Sequence, residues 1–550
     1  MESLADYFGQ RWRRMSTQVK IAFFSSSIVG FVAHITSITN RLFNHDSILG
    51  TLVDSHSTFG LQQGKWFNLP AGLLTQGNIY SPAIILVVGL LILALTAAFT
   101  VSILKIQSKL WAAVIGSFLV LFPSVMSTNA YLSTTPFFTA LLLSTLAVYF
   151  TAKYKHGFWL GIAFLTLSCG TYSVYIGYAA GLFLILEIIA LLEGKQPVKE
   201  ILLTGLKYIF VLLASVALYY AILQISLRIS HLSLMDYRGI DQMGRFSLAS
   251  LYSVTVESYR KVLYFFIYGI HLYRSSFHIE PMFRMMNWAT LVLAAGASIV
   301  LGIRNGIQKS LPRILLTGLL AFLFPLAIHA IGILGQNSYT HWIMIYPFVL
   351  VYVYMLTCVD RIESQLKEPE FSGSLKRFTK ASIRLGAIAA FVVSLLLIRQ
   401  WYFTTNQGYE FLRTADANAY SAGIMLVDDM REVDGYQAST PVVLAGSGAP
   451  EAFQYVTGDY NQITSETGIG YTGINVSIID NNRLTYLLRN WVGVAINYAD
   501  AETSARISRL PEVVSMPIYP AKGSIAMLDG FLVVKLSPIT EEPAAETPQN

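Results

Sequence analysis

Residues 40–78 read NRLFNHDSILGTLVDSHSTFGLQQGKWFNLPAGLLTQGN, and the rest of the chain is organised around this interval. It separates two long apolar runs. Within it stand two carboxylates, Asp46 and Asp54, and two histidines, His45 and His56, followed by Gly64-Lys65-Trp66 and Pro70. Its length suits two short surface helices. Polar and charged residues between two apolar runs read as a loop outside the lipid, the first external loop of a chain that is otherwise mostly membrane. Carboxylates gathered there mark the first place to look for chemistry.

Working outward, the 550 residues are 54% hydrophobic and only 13% charged, with a mean hydropathy of +0.53. Ordinary globular chains carry about 25% charged residues, so the composition points to a polytopic α-helical membrane protein. Apolar segments lie near 19–39, 79–103, 110–126, 131–151, 157–172, 174–192, 205–227, 285–303, 313–334, 342–358 and 384–401, about eleven spans. With the N-terminus in the cytoplasm, the inner loops hold Lys105/Lys109, Lys153/Lys155, Lys195/Lys199, Arg304/Lys309/Arg313 and Arg361/Lys367/Lys376/Arg377/Lys380. The outer turns Ser127–Ala130 and Gln336–His341 hold no Lys or Arg. This is the positive-inside asymmetry, and an odd number of spans leaves the C-terminal region outside.

The same asymmetry explains the net charge of +6 without invoking nucleic acid. The two cysteines, Cys169 and Cys358, lie in apolar spans, which argues against a disulfide framework or a cysteine metal site. Arg11, Arg13, Arg14 and Lys20 precede a first apolar segment with no small-residue cleavage site, the pattern of a retained anchor. Tyr259–Tyr273 is apolar and aromatic, but it begins with Arg260-Lys261 and is followed by Arg274. Counting it as a span would invert every later loop, so it reads as an interfacial helix with its aromatic rings at headgroup level.

Beyond Trp401 the pattern changes. Residues 402–538 alternate helical and strand-like periodicity: a helix over Glu410–Met430, a strand at Pro441-Val-Val-Leu-Ala, a helix over Leu484–Ala495 and a strand in Phe531–Leu536. That is enough chain for a C-terminal extracytoplasmic α/β domain. Residues 539–550 read as a disordered tail. The transmembrane part, 1–401, carries two external loops, 40–78 and 229–284.

Two readings of Asp46 stand side by side. It is an N-cap for the following Ser-Ile-Leu-Gly-Thr-Leu-Val, or a general base at the membrane surface, with Asp54 the second catalytic candidate. Lys65-Trp66 either anchors an interfacial helix or touches substrate. In the second loop, Arg238, Arg245, Arg260, Lys261 and Arg274 form either a solvated set of ion pairs or a phosphate-binding group. Aromatic neighbours favour Arg260, Lys261 and Arg274. His45, Asp46 and Asp54 could form part of a divalent cation site, although their spacing is no recognised ligand pattern. No acid lies at the middle of a span, as an ion-coupled carrier would require.

This layout resembles the type II Gtr glucosyltransferases, within the GT-C class of polyprenyl-phosphate-sugar transferases. The likeness rests on Asn44-His45-Asp46, Gly64-Lys65-Trp66 with Pro70, and Thr171-Tyr172-Ser173-Val174-Tyr175. It continues through the helix Asn406–Asp429, Pro517–Ile525 and Phe531–Leu536. Lys65 stands where such proteins commonly carry Arg, and Ser47 where many have a second acid. The resemblance implies a GT-C-like fold in a bacterial inner membrane. It implies an inverting transfer of glucose from an undecaprenyl-phosphate-linked donor to a lipid-linked glycan such as O-antigen, with His45, Lys65, Trp66 and Tyr172 at the substrate. The alternative reading is a transporter, flippase or assembly scaffold with an external domain.

Overall fold

Signals at the ends of the apolar runs decide where each helix starts and stops. The hydroxyl of Ser16 accepts from the Val19 amide and that of Ser108 from the Trp111 amide, capping the helices that follow. Gly194 adopts a left-handed conformation and closes another helix at its C-terminus. The computed structural model describes residues 13–42, 44–49, 53–77, 81–131, 134–235, 248–268, 281–334, 341–366, 374–446 and 480–539.

Among these residues, nine helical segments are long and apolar enough to cross a membrane. The bundle helices are α1 (Thr17–Thr39), α2 (Pro82–Leu104), α3 (Lys109–Leu121), α4 (Thr134–Lys153), α5 (Phe158–Tyr172), α6 (Ile176–Glu193), α7 (Val198–Ile229), α8 (Pro281–Arg304), α9 (Leu311–Ile328), α10 (Val349–Leu366) and α11 (Ser374–Arg431). The count of eleven follows from two features. The segment Phe158–Glu193 is broken at Tyr172, whose φ of -157° and ψ of 99° leave the helical region, so α5 and α6 are separate arms. Helix α10 is mostly buried in the bundle and, with its charged C-terminal end, is not among the nine. After α3 the chain bends at Phe122, because a residue before proline avoids the α conformation, and Pro123–Ala130 resumes as a short helix.

The basic loops converge on one face. The buried carboxylate of Asp360 accepts from the amides of Gln107 at 2.9 Å and Ser108 at 2.7 Å, joining α10 to the α2–α3 turn. Arg361 donates to the carbonyls of Leu104 and Lys105 and pairs with Glu193 at 2.9 Å. Asn305 donates to the Leu192 carbonyl. Lys105, Lys195, Arg304 and Arg361 therefore share a side, as their charge predicted.

The other face carries the loops. Helices Val53–Gln62 and Asn68–Gln76 lie there, and the Phe67 amide donates to the Gly170 carbonyl at 2.7 Å near the end of α5. The amphipathic helix Leu248–Leu263 starts eleven residues before the interval expected to be interfacial, and a wider turn, Tyr264–Tyr268, follows it. Phe265 and Phe266 are buried in the bundle core rather than at headgroup level, while Tyr252 and Tyr268 stay exposed. Residues 269–280 fall outside the described residues.

Helix α11 runs through Trp401 without a break, so the expected boundary at 401–402 falls inside one helix of 58 residues. Its last turns cover a three-stranded sheet. Strands β1 (Val442–Ala445), β2 (Ile525–Leu528) and β3 (Phe531–Lys535) lie in the order β1-β3-β2. Val442 pairs with Leu532 in parallel and Ile525 with Val534 in antiparallel register. The two-residue turn Asp529-Gly530 joins β2 to β3 with both residues at positive φ, as a twisted hairpin requires. Alternate strand residues face opposite layers. Val442, Leu532 and Val534 meet Leu426 and Met430 of α11. Val443, Ala445 and Val533 meet Ile507 and Val513 of two short helices.

The shared face of the basic loops generates a topological prediction. Alkaline phosphatase fused after Ile539 is expected to be active, and fused after Gly194 to be inactive. The reverse pattern would overturn the orientation.

Candidate functional site

The first loop is shaped by Asn44. Its side-chain carbonyl accepts from the amides of Asp46 at 3.1 Å and Ser47 at 2.9 Å. The capping role open to Asp46 thus belongs to Asn44, and the Asp46 carboxylate is left to point elsewhere. Ser47 ties the turn to the bundle by donating to the Ala130 carbonyl at 3.1 Å.

Asp46 has a side chain 45% exposed, with one oxygen 3.4 Å from Nη2 of Arg483 and 3.6 Å from Nε2 of His45. Arg483 also donates through Nε to the His45 carbonyl at 3.1 Å and through Nη1 to Asp480. His45 packs edge-on against Tyr131, whose hydroxyl lies 3.2 Å from Nε2 of His341. No sequence signal points to Arg483, Asp480 or His341 at this place. Asp480 before Asn481-Asn482-Arg483 is a readable helix cap, and it accepts from the Arg483 amide at 2.8 Å. Nothing local couples that cap to a loop more than four hundred positions earlier.

A second group gathers Lys65, Trp66 and Tyr172. Gly64 has a φ of +77°, and a Cβ there would lie 2.6 Å from the Tyr219 hydroxyl, which donates to the Gly64 carbonyl. The Trp66 indole lies on Gly170, where a Cβ would approach the ring to 2.5 Å. Tyr172 stacks on Phe137 with ring centres 4.2 Å apart, and Lys65 Nζ sits 5.8 Å and 5.9 Å from those two ring centres. His45, the fourth residue expected at the substrate, lies beside Asp46. Tyr175, unremarked in the sequence as a ligand, is fully buried beside Tyr172 and Tyr346.

The third group is on Leu248–Leu263. Arg260 is 61% exposed and pairs with Glu257 at 3.2 Å. Lys261, the next residue, is 10% exposed and 3.9 Å from the same carboxylate. Burial pushes its ammonium below the usual lysine range, and Arg260 adds to this while Glu257 opposes it. Ser258 on this helix lies 3.0 Å from His329 Nδ1. Arg238, Arg245 and Arg274 lie outside the described residues. So do the side chains of Asp54 and His56, although their backbone belongs to helix Val53–Gln62. Among the described residues, no cluster of three or more His, Cys, Asp or Glu is placed to hold a metal ion.

Arranged this way, the loop face offers a half-exposed carboxylate, a packed aromatic cluster with Lys65 around Gly170, and a shielded ammonium on an amphipathic helix. The hydroxyl of Tyr175 has no hydrogen-bond partner among the described residues. A buried polar group without a partner costs about 1–3 kcal/mol. Tyr175→Phe is therefore expected to leave thermal stability in detergent unchanged or raised, and a fall of several degrees in Tm would show that the hydroxyl is bonded.

Residues 35–357 match the family described as Glucosyl transferase GtrII. No curated protein and no solved structure matches the chain. The match spans more than half of the chain and includes Asp46, Lys65, Trp66, Tyr172, Arg260 and Lys261, whereas Arg483 lies beyond it. By that match, the chain belongs to the GtrII glucosyl transferase family.

Proposed function

We propose that this glycosyltransferase moves a glucosyl or similar sugar from an undecaprenyl-phosphate-linked donor to a hydroxyl of a lipid-linked surface glycan such as O-antigen. The reaction is placed on the loop face, on the periplasmic side of a bacterial inner membrane. The observation that carries the reading is the carboxylate of Asp46, released from capping by Asn44 and half open on that face. A nucleotide site is not needed, because the leaving group is itself a lipid phosphate.

In the proposed step the acceptor hydroxyl gives its proton to Asp46 while its oxygen attacks the anomeric carbon. The bond from that carbon to the phosphate oxygen breaks, and polyprenyl phosphate departs with the electron pair, inverting the centre. Cations near headgroup depth stabilise the departing charge. Lys261 is better placed for this than Arg260, since its ammonium is shielded from water and Arg260 is mostly solvated. Lys65, Trp66 and Tyr172 supply an aromatic cleft for the sugar, and His45 lies beside the base. Asp54 remains the second candidate base. A divalent cation at His45 and Asp46 remains compatible with this scheme.

Asp46→Asn is expected to lower the transfer rate by about 10²–10⁴-fold, the usual contribution of a general base, while the protein still inserts and folds. Near-normal transfer of labelled glucose by purified Asp46→Asn would rule out this role. Lys261→Gln is expected to weaken apparent donor affinity roughly ten- to a hundredfold, against less than about threefold for Arg260→Gln. Equal effects in a donor titration would remove the distinction drawn from burial.

A further inference from the structure

We propose that Arg483 is a positioning residue for Asp46, and that the C-terminal α/β unit completes the transferase site by supplying it. The inference rests on Asp46 being the base. Three observations carry it. The Arg483 side chain is only 5% exposed, yet its guanidinium spans three acceptors: the Asp480 carboxylate, the His45 carbonyl and the Asp46 carboxylate. Two of the three belong to the catalytic loop.

The seam around it is packed rather than incidental. Ile48, two residues beyond Asp46, is fully buried in one core with Leu484, Leu487 and Leu532 of the C-terminal unit. Arg41, at the start of the loop, lies over the Trp491 ring at 3.7 Å. The loop is thus held on the bundle side by Ser47 on Ala130 and on the other by Arg483 and Ile48.

The chemistry assigns the work to the fork of the guanidinium. Nε and Nη1 are taken by the His45 carbonyl and Asp480, which aims Nη2 at one oxygen of Asp46. The opposite side of that carboxylate is left for the acceptor hydroxyl. A lysine would keep the charge but present a single point donor, and could not serve all three acceptors in this geometry.

The test uses the purified full chain in proteoliposomes, with polyprenyl-phosphate glucose as donor and host lipid-linked glycan as acceptor. Arg483→Lys is expected to lower kcat by about ten- to a hundredfold, the scale of an ångström-level misplacement of a reacting group, with donor KM within about twofold. In an Asp46→Asn background the same change should lower the residual rate no further, because a group acting through Asp46 has nothing left to position. Ile507→Ala, which loosens the opposite layer of the C-terminal unit and touches neither the guanidinium nor the loop, should leave kcat within about threefold.

An additive loss in the Asp46→Asn background would overturn the proposal, as would an unchanged kcat in Arg483→Lys. So would a loss in Ile507→Ala equal to that in Arg483→Lys. Should Arg483→Lys fail to fold, Asp480→Asn keeps the question answerable. It frees one arm of the fork, and a severalfold fall in kcat at unchanged KM is expected, with no change overturning the proposal. Full activity in Asp46→Asn alone would instead defeat the base assignment, which separates the two failures.

Discussion

A guanidinium stays charged at every accessible pH, so a buried arginine obliges its surroundings to supply acceptors. Arg483 meets this requirement with groups from two distant parts of the chain, and the placement of the site follows from that. The turn at Asp480 and the loop at His45-Asp46 must lie against each other for the charge to be compensated. Removing one partner of a buried ion pair costs about 3–5 kcal/mol, chiefly through the charge left behind. Both carboxylates keep contact with water, Asp480 at 31% and Asp46 at 45% exposed, so solvent screens much of this cost. The pair therefore holds the seam without closing the carboxylate off.

The opposite face is held by a different device. Asp360 is buried yet satisfied by two backbone amides, and Arg361 spreads its donors over carbonyls of the α2–α3 turn and over Glu193. These bonds lock the ends of α2, α3, α6 and α10 together. On the loop face the described helices Val53–Gln62 and Asn68–Gln76 are shorter, and ties such as Ser47 to Ala130 and Phe67 to Gly170 hold them. Helix α11 links the faces, since it crosses the bundle and ends as one layer of the sheet unit.

The aromatic cluster around Lys65 owes its packing to two glycines. Gly64 and Gly170 let Tyr219 and the Trp66 indole come closer than any side chain would permit. That packing carries Lys65 to the aromatic pair Phe137 and Tyr172, where a cation is attracted to the ring faces. A larger residue at either glycine would displace Trp66 or Tyr219 and with it the ammonium.

Periodicity and charge alone determined much of this protein. Apolar runs long enough to span a bilayer, broken by basic loops on one side, dictated the helical membrane architecture. Short apolar runs at Val442–Ala445 and Phe531–Lys535 marked two strands of the C-terminal unit. Both signals are local, because a span or a strand is specified by the residues within it. The loop carrying Asp46 was visible for the same reason, as was the likeness carried by Gly64-Lys65-Trp66. Only the tertiary structure decided that Asn44 rather than Asp46 caps the loop, and that Lys261 is shielded while Arg260 is not. It alone joined Arg483 to Asp46. Such pairings depend on which surfaces meet after the chain has folded, and a charge that finds its partner 437 positions away leaves no periodicity for the sequence to display.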